Sequence, residues 1–281
     1  MGTIDFTYQG KPIQLVVSDH GVIDATNLFN NATYMNGGAA AWTIPAKAPA
    51  PVADVLHHTA GWYGPRLTEK ATPAEEWGQI VALAQDHRAR FGIGPGYHYL
   101  AFPSGRAWAV GKYGTHRAHT TGREPTTRER WNVVAKGICA FGNFEADAVP
   151  RGTITAIRAI LTDLQYIRRG TVLPLHEHGL TPTVDAAGVK RPQATACPGR
   201  HLAAARAAGQ ITVATFSGLA PVYQPDRWGE GYAAGYKRGR ADEAVHAHDA
   251  IDALTARLRA TVANPPAPSV VPPAPALGGV A

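Results

Sequence analysis

Apolar residues recur with two different periods along the first two hundred positions. Ile154, Ile157, Ile160-Leu161, Leu164 and Ile167 fall at helical spacing, which predicts an amphipathic helix over residues 153–168. Trp77, Ile80, Val81 and Leu83-Ala84 give a second apolar face over 73–91. Thr72 stands where an N-cap is needed, Pro73 fits the first turn and Glu75 completes a capping box. Gly92, Gly94 and Gly96 end that helix. Shorter apolar runs read as strands: Val52-Ala53-Asp54-Val55-Leu56, Tyr97–Phe102, Ala107–Val110 beyond a turn at Pro103-Ser104-Gly105-Arg106, and Ile138–Phe141 between two glycines. Strands alternating with helices around one sheet predict an α/β domain.

The flanks have a different character. Residues 1–45 predict an N-terminal extension with a hairpin: Ile4–Tyr8, a turn at Gln9-Gly10-Lys11-Pro12, and Ile13–Val17. The glycine- and proline-rich stretch that follows loosens the chain before a catalytic candidate over 46–215. Residues 216–263 repeat Gly-Tyr at 231–232 and 235–236, and Ala244, Ile251, Leu254, Leu258 and Val262 then form a helical stripe. The Gly-Tyr repeat reads equally as a binding or self-association element and as a softened connector. The segment 264–281 is rich in Pro and Ala, a composition expected to be disordered.

Composition narrows the classes. The 281 residues are 45% hydrophobic and 17% charged, enough for an ordinary core. An excess of Lys and Arg gives a net charge of +6, which favours an anionic partner without choosing among nucleic acid, membrane surface and wall polymer. No dinucleotide fingerprint or phosphate loop occurs, and pairs such as Arg168-Arg169 are too short to specify nucleic acid. No run of 18 apolar residues predicts a membrane-spanning helix, and the first residues lack the pattern of a signal peptide. Two cysteines, Cys139 and Cys197, set up no disulfide framework.

Three residues carry the candidate chemistry: His57, His176 and Cys197, each where a strand-like run gives way to a loop. The bland reading makes each histidine a hydrogen-bonded strand end and Cys197 a small buried hydrophobe. The sharper reading is a zinc site. Two imidazoles and a thiolate suit Zn2+ and leave its fourth position for water, the pattern of catalytic rather than structural sites. Such an ion acidifies water and polarises an amide carbonyl.

The surrounding motifs favour the sharper reading. Leu56-His57-His58-Thr59-Ala60-Gly61, Gly96-Tyr97-His98-Tyr99, Arg117-Ala118-His119-Thr120, Gly137–Glu145, Leu175-His176-Glu177-His178 and Thr195-Ala196-Cys197-Pro198-Gly199 follow one another in order. Over roughly residues 50–205 the chain thereby resembles the zinc-dependent N-acetylmuramoyl-L-alanine amidases of the phage lysozyme, AmpD and peptidoglycan-recognition-protein type. The resemblance implies a mixed central β-sheet flanked by helices, with one Zn2+ on His57, His176 and Cys197; His178 is the alternative to His176, and His58 to His57. It also implies hydrolysis of the bond between N-acetylmuramic acid and L-alanine. Tyr97 and Thr195 match family positions near the metal, Tyr97 to hydrogen-bond the water and Thr195 to stabilise the oxyanion. Some relatives carry a glutamate in the strand that here reads Ile138-Cys139-Ala140-Phe141. No acid stands there, so Glu177 and His178 become the candidates for proton transfer. His58 is expected to pack or to orient its neighbour. With Thr59, His119 and Asn143 it belongs to the residues expected along the substrate groove. The segment between His176 and Cys197 is longer than is common in the family and is expected to form a lip, with Lys190 and Arg191 available to muropeptide carboxylates. The implied partner is bacterial peptidoglycan, with anionic wall polymers besides. The implied setting is a phage endolysin made in the host cytoplasm and released by a separate permeabilising protein. A non-catalytic peptidoglycan receptor and a zinc peptidase acting within the stem peptide are the alternatives.

Overall fold

The helix expected over 73–91 forms as α1 (Pro73–Phe91), and its ends follow the expected chemistry. The Thr72 hydroxyl accepts the Glu75 amide, the Glu75 carboxylate accepts the Thr72 amide at 2.6 Å, and Gly92 closes the helix in the left-handed region. The computed structural model describes residues 2–29, 50–185 and 188–212. The late helical stripe, the Gly-Tyr repeat and the Pro/Ala-rich tail lie outside them. Among the described residues no helix is long and apolar enough to cross a membrane.

Among the described residues ten strands form around this frame: β1 (Gly2–Tyr8), β2 (Lys11–Val17), β3 (Val22–Asp24), β4 (Ala53–His58), β5 (Tyr99–Ala101), β6 (Ala107–Ala109), β7 (Ala135–Ala140), β8 (Leu175–Glu177), β9 (Pro182–Val184) and β10 (Lys190–Pro192). Eight of them make one mixed sheet in the order β1-β2-β3-β6-β5-β7-β4-β8, and β9 and β10 pair as a separate hairpin. Parallel pairing joins β4 to both β7 and β8. Every residue of β4 and β7 is buried, as expected for central parallel strands covered on both faces.

The hairpin at the N-terminus forms where it is expected. The extension goes further, however: β3 continues from the hairpin and pairs in parallel with β6, so the first strands belong to the main sheet. Phe6 packs its ring 6.0 Å from both Trp77 and Trp108, within the cluster that α1 builds with Leu100, Phe102 and Phe141. The opposite face carries α3 (Arg151–Ile167) and α4 (Arg200–Ala207). Ile157, Ile160, Leu161 and Leu164 of α3 are buried there against Leu56, Tyr99 and Ile138, each worth about 1.5–3 kcal/mol. A single-turn helix, α2 (Trp131–Val134), leads into β7.

Two buried acids tie these layers together. Glu76 on α1 accepts from Ser104, from Arg106 at 2.8 Å and from Trp108 Nε1 at 2.9 Å. Asp54, at the start of β4, takes both terminal nitrogens of Arg168 at 2.7 and 2.5 Å. Asp163 on α3 is less well served. Burial pushes its carboxyl up to about 6, only partly offset by a Ser18 hydrogen bond, and Asp24 pushes in the same direction. The folded value lies above the unfolded one, so the native state holds the proton longer and stability falls as pH rises from about 4 through about 6. Asp163→Asn is therefore expected to match the wild type in urea unfolding at pH 4 and to be more stable by about 1–3 kcal/mol at pH 8. Equal stabilities at pH 8 would contradict this account.

Candidate metal centre

Side chains alternate along a strand, so in β4 Ala53, Val55 and His57 face one side while Asp54, Leu56 and His58 face the other. The register of β8 against β4 sets Leu175 beside Asp54, His176 beside Val55 and Glu177 beside Leu56. Continued by one residue, it brings His178 alongside His57, and their ring centroids are 4.5 Å apart. The ligand atoms of His57, His178 and Cys197 all lie within 4.8 Å of one another.

This grouping corrects the expectation for His176. It shares the face of His57 but sits one residue pair further from the carboxyl ends of the strands. Its ring packs edge-on against Trp131, 5.6 Å away. Periodicity alone admits both histidines of Leu175-His176-Glu177-His178, and only the register selects His178. Glu177 also departs from its expected role. It points to the α3/α4 side, where Arg206 holds its carboxylate at 2.9 Å. His178 joins the cluster itself and is not a separate acid or base beside it.

Cys197 reaches the sheet on the loop before α4, and a glycine makes the approach possible. The Gly179 amide donates to the Cys197 carbonyl at 2.7 Å, and a Cβ at Gly179 would lie 2.0 Å from the Thr195 carbonyl oxygen. The Cys197 Sγ is 3.7 Å from His57 Nδ1 and accepts the His58 amide at 3.4 Å. Tetrahedral zinc with ordinary Zn–N and Zn–S lengths holds such a pair about 3.6 Å apart. The donor set and its spacing therefore fit a zinc ion.

Each imidazole has its outer nitrogen engaged. His119 Nε2 faces the Ala135 carbonyl at 3.3 Å, and a carbonyl can only accept, so this nitrogen carries the proton. His119 Nδ1 is then an acceptor for His57 Nε2 at 3.1 Å, which leaves His57 Nδ1 as a lone pair beside Cys197. His178 Nε2 lies 2.9 Å from Gln193 Oε1. The Gln193 amide nitrogen donates to the Thr121 carbonyl at 2.7 Å, which fixes the amide so that His178 is the donor and its Nδ1 stays free. Burial keeps all three rings on the neutral side: His57 far below the ordinary range, His119 pushed down to about 3, and His178 lowered as well. Burial also pushes the Cys197 thiol up to about 12, a cost that a bound dication reverses.

His119 is therefore a buried support of His57 rather than a groove contact. Gly137 leaves room for it, since a Cβ there would lie 2.6 Å from the His119 ring. His58, on the far face, accepts the Phe144 amide at its Nδ1 and stacks near the Phe144 ring, so its imidazole is turned away from the cluster. Thr59 joins two loops, donating to the Gly61 carbonyl at 2.6 Å and accepting the Gly142 amide at 2.9 Å. Asn143 accepts the Glu145 amide in the turn after β7. The Tyr97 ring lies 5.2 Å from that of His57, and burial holds its hydroxyl protonated, reinforced by Cys139 and Cys197. Thr195 is exposed, and its hydroxyl oxygen accepts the Cys197 amide at 3.3 Å. Lys190 and Arg191 are exposed on β10. Gln193 is a functional candidate that the motifs do not mark, because its contact depends on a turn between distant segments. A cavity of about 400 Å³ at the opposite end of β4 is lined by Asp54, Arg168 and Arg206, whose charges are already paired.

A family model described as N-acetylmuramoyl-L-alanine amidase matches residues 49–200. No curated protein matches the chain. The solved structures it resembles include the N-acetylmuramoyl-L-alanine amidase LysC from Clostridium intestinale URNW, 21% identical with a TM-score of 0.38 over 58% of this chain and 87% of that one. A Drosophila PGRP-LB mutant in complex with tracheal cytotoxin is 15% identical, with a TM-score of 0.41 over 60% and 88%. The Ph2119 endolysin from the Thermus scotoductus MAT2119 bacteriophage Ph2119 is 24% identical, with a TM-score of 0.37 over 58% and 86%. The family match spans more than half of the sequence and contains His57, His178 and Cys197, and the chain belongs to the N-acetylmuramoyl-L-alanine amidase family.

Proposed function

We propose that this protein hydrolyses the amide bond between N-acetylmuramic acid and L-alanine in bacterial peptidoglycan, with a zinc ion held by His57, His178 and Cys197. The observation that carries the reading is the convergence of these ligand atoms within 4.8 Å in a chain of the amidase family. When bound, the ion supplies Lewis acidity, lowering the pKa of a water and polarising the scissile carbonyl. The protein's own residues do the rest. His119 and Gln193 hold the two imidazoles in the tautomers that present Nδ1. The Thr195 oxygen already accepts the Cys197 amide, so its proton is free to point outward and donate to an oxyanion. Tyr97 keeps its proton and serves as a donor beside His57. Glu177, bound to Arg206, is withdrawn from proton transfer. Lys190 and Arg191 stand ready for stem-peptide carboxylates. Lysis of a bacterial host is the setting this reading implies.

Incubation with defined muropeptides, followed by mass spectrometry, tests the assignment. Loss of the whole stem peptide, stopped by a chelator and restored by zinc, is the expected result. Intact muropeptide that binds would make the protein a receptor, and cleavage inside the stem would make it a peptidase. The ligand set has its own test in the two neighbouring histidines. His178→Ala and Cys197→Ser are expected to lose stoichiometric zinc and more than about a thousandfold in kcat/KM. His176→Ala is expected to keep its zinc and to stay within about threefold of wild type, because the lost ring contact lies outside the ligand shell. Zinc loss in His176→Ala with retention in His178→Ala would overturn the assignment.

A further inference from the structure

The segment Arg117–Thr121 is irregular and largely buried, yet it supports both histidines of the cluster. His119 Nδ1 accepts a hydrogen bond from His57 Nε2, and the Thr120 hydroxyl accepts one from Gln193 Nε2 at 2.6 Å, with Gln193 in turn holding His178. A buried stretch without a β-ladder needs other partners for its amides. One side chain supplies them: Asn132 Oδ1 accepts the His119 amide at 2.8 Å and the Thr120 amide at 2.9 Å. The Asn132 main-chain carbonyl accepts the Arg117 amide at 3.3 Å. Asn132 is itself buried in α2, and its neighbour Trp131 is anchored by a 2.7 Å hydrogen bond to the Pro182 carbonyl.

We infer that Asn132 is a positioning residue for the metal centre, fixing through one oxygen the two branches that orient His57 and His178. The inference rests on the proposed zinc reading. Asn132 touches neither ligand; it sets the backbone from which His119 and Thr120 reach them. Loss of its oxygen frees two buried amides at once and loosens both branches, whereas loss of Gln193 frees only one.

The test is zinc affinity, measured by competition with a chromophoric chelator on purified Asn132→Ala, Asn132→Asp and wild-type protein, with circular dichroism as the check on folding. Asn132→Ala is expected to bind zinc about 10–100-fold more weakly. Asn132→Asp keeps an acceptor oxygen in the same place and is expected to stay within about threefold of wild type. A folded Asn132→Ala with wild-type affinity would overturn the inference, as would equal losses in both variants. Should Asn132→Ala fail to fold, nitrogen-15 imidazole spectra of the metal-free wild type decide. His57 and His178 must each carry the proton on Nε2, and a proton on Nδ1 of either would refute the relay. Failure of the wild type to bind zinc at all would defeat the zinc reading, while the tautomers would still judge the relay separately.

Discussion

The parallel register of β4 with its neighbours is the constraint from which the centre follows. Strand side chains alternate, so a slip of β4 by one residue would turn His57 into the α3/α4 layer, away from His178 and Cys197, and bring His58 to the opposite face in its place. The layers make such a slip costly. Leu56 and Ile138 are buried against α3, Asp54 is held by two nitrogens of Arg168, and Gly137 makes room for the His119 ring. The adjacent pairs His57-His58 and Glu177-His178 thus divide their work by face. One member of each pair enters the cluster and the other secures the scaffold.

The supporting shell is neutral where it touches the imidazoles. His119, Gln193 and main-chain groups contact them, and the carboxylate of Glu177 is drawn away by Arg206. Neutral imidazoles suit a cation, and burial secures them by disfavouring protonation. Two neutral rings and one thiolate would leave a bound dication with a net charge of about +1, enough to keep its electrophilic character. The lysine and arginine side chains of β10 belong to a different, exposed region.

Much of this was legible in the chain. Thr72, Pro73 and Glu75 announced α1, the apolar period of α3 announced its buried face, and six short motifs carried the family resemblance. The third ligand was not legible from periodicity, because His176 and His178 occupy the same face and differ only in position along a strand pair. The resemblance placed it on His176, and the geometry favours His178. The roles of His119 and Gln193 were hidden for another reason. Each depends on hydrogen bonds between segments far apart in sequence, and nothing local marks a glutamine that orients an imidazole. The extension before residue 46 was readable as a hairpin, whereas its union with β6 through β3 depends on a non-local pairing.

The strand order has a consequence for how the molecule comes into being. β4 finds both of its partners much later in the chain, and β3 likewise waits for β6, so four of the sheet's seven strand pairings are non-local. Folds of this kind close slowly. While a growing chain has reached only α1, β4 presents two edges of unpaired backbone N–H and C=O groups, the state in which nascent proteins aggregate or recruit chaperones. The cluster cannot assist at that stage, since Cys197 is the last of its three members to be synthesised. On the proposed zinc reading, metal capture would be a finishing event, since the ligand group is complete only once Cys197 has been added.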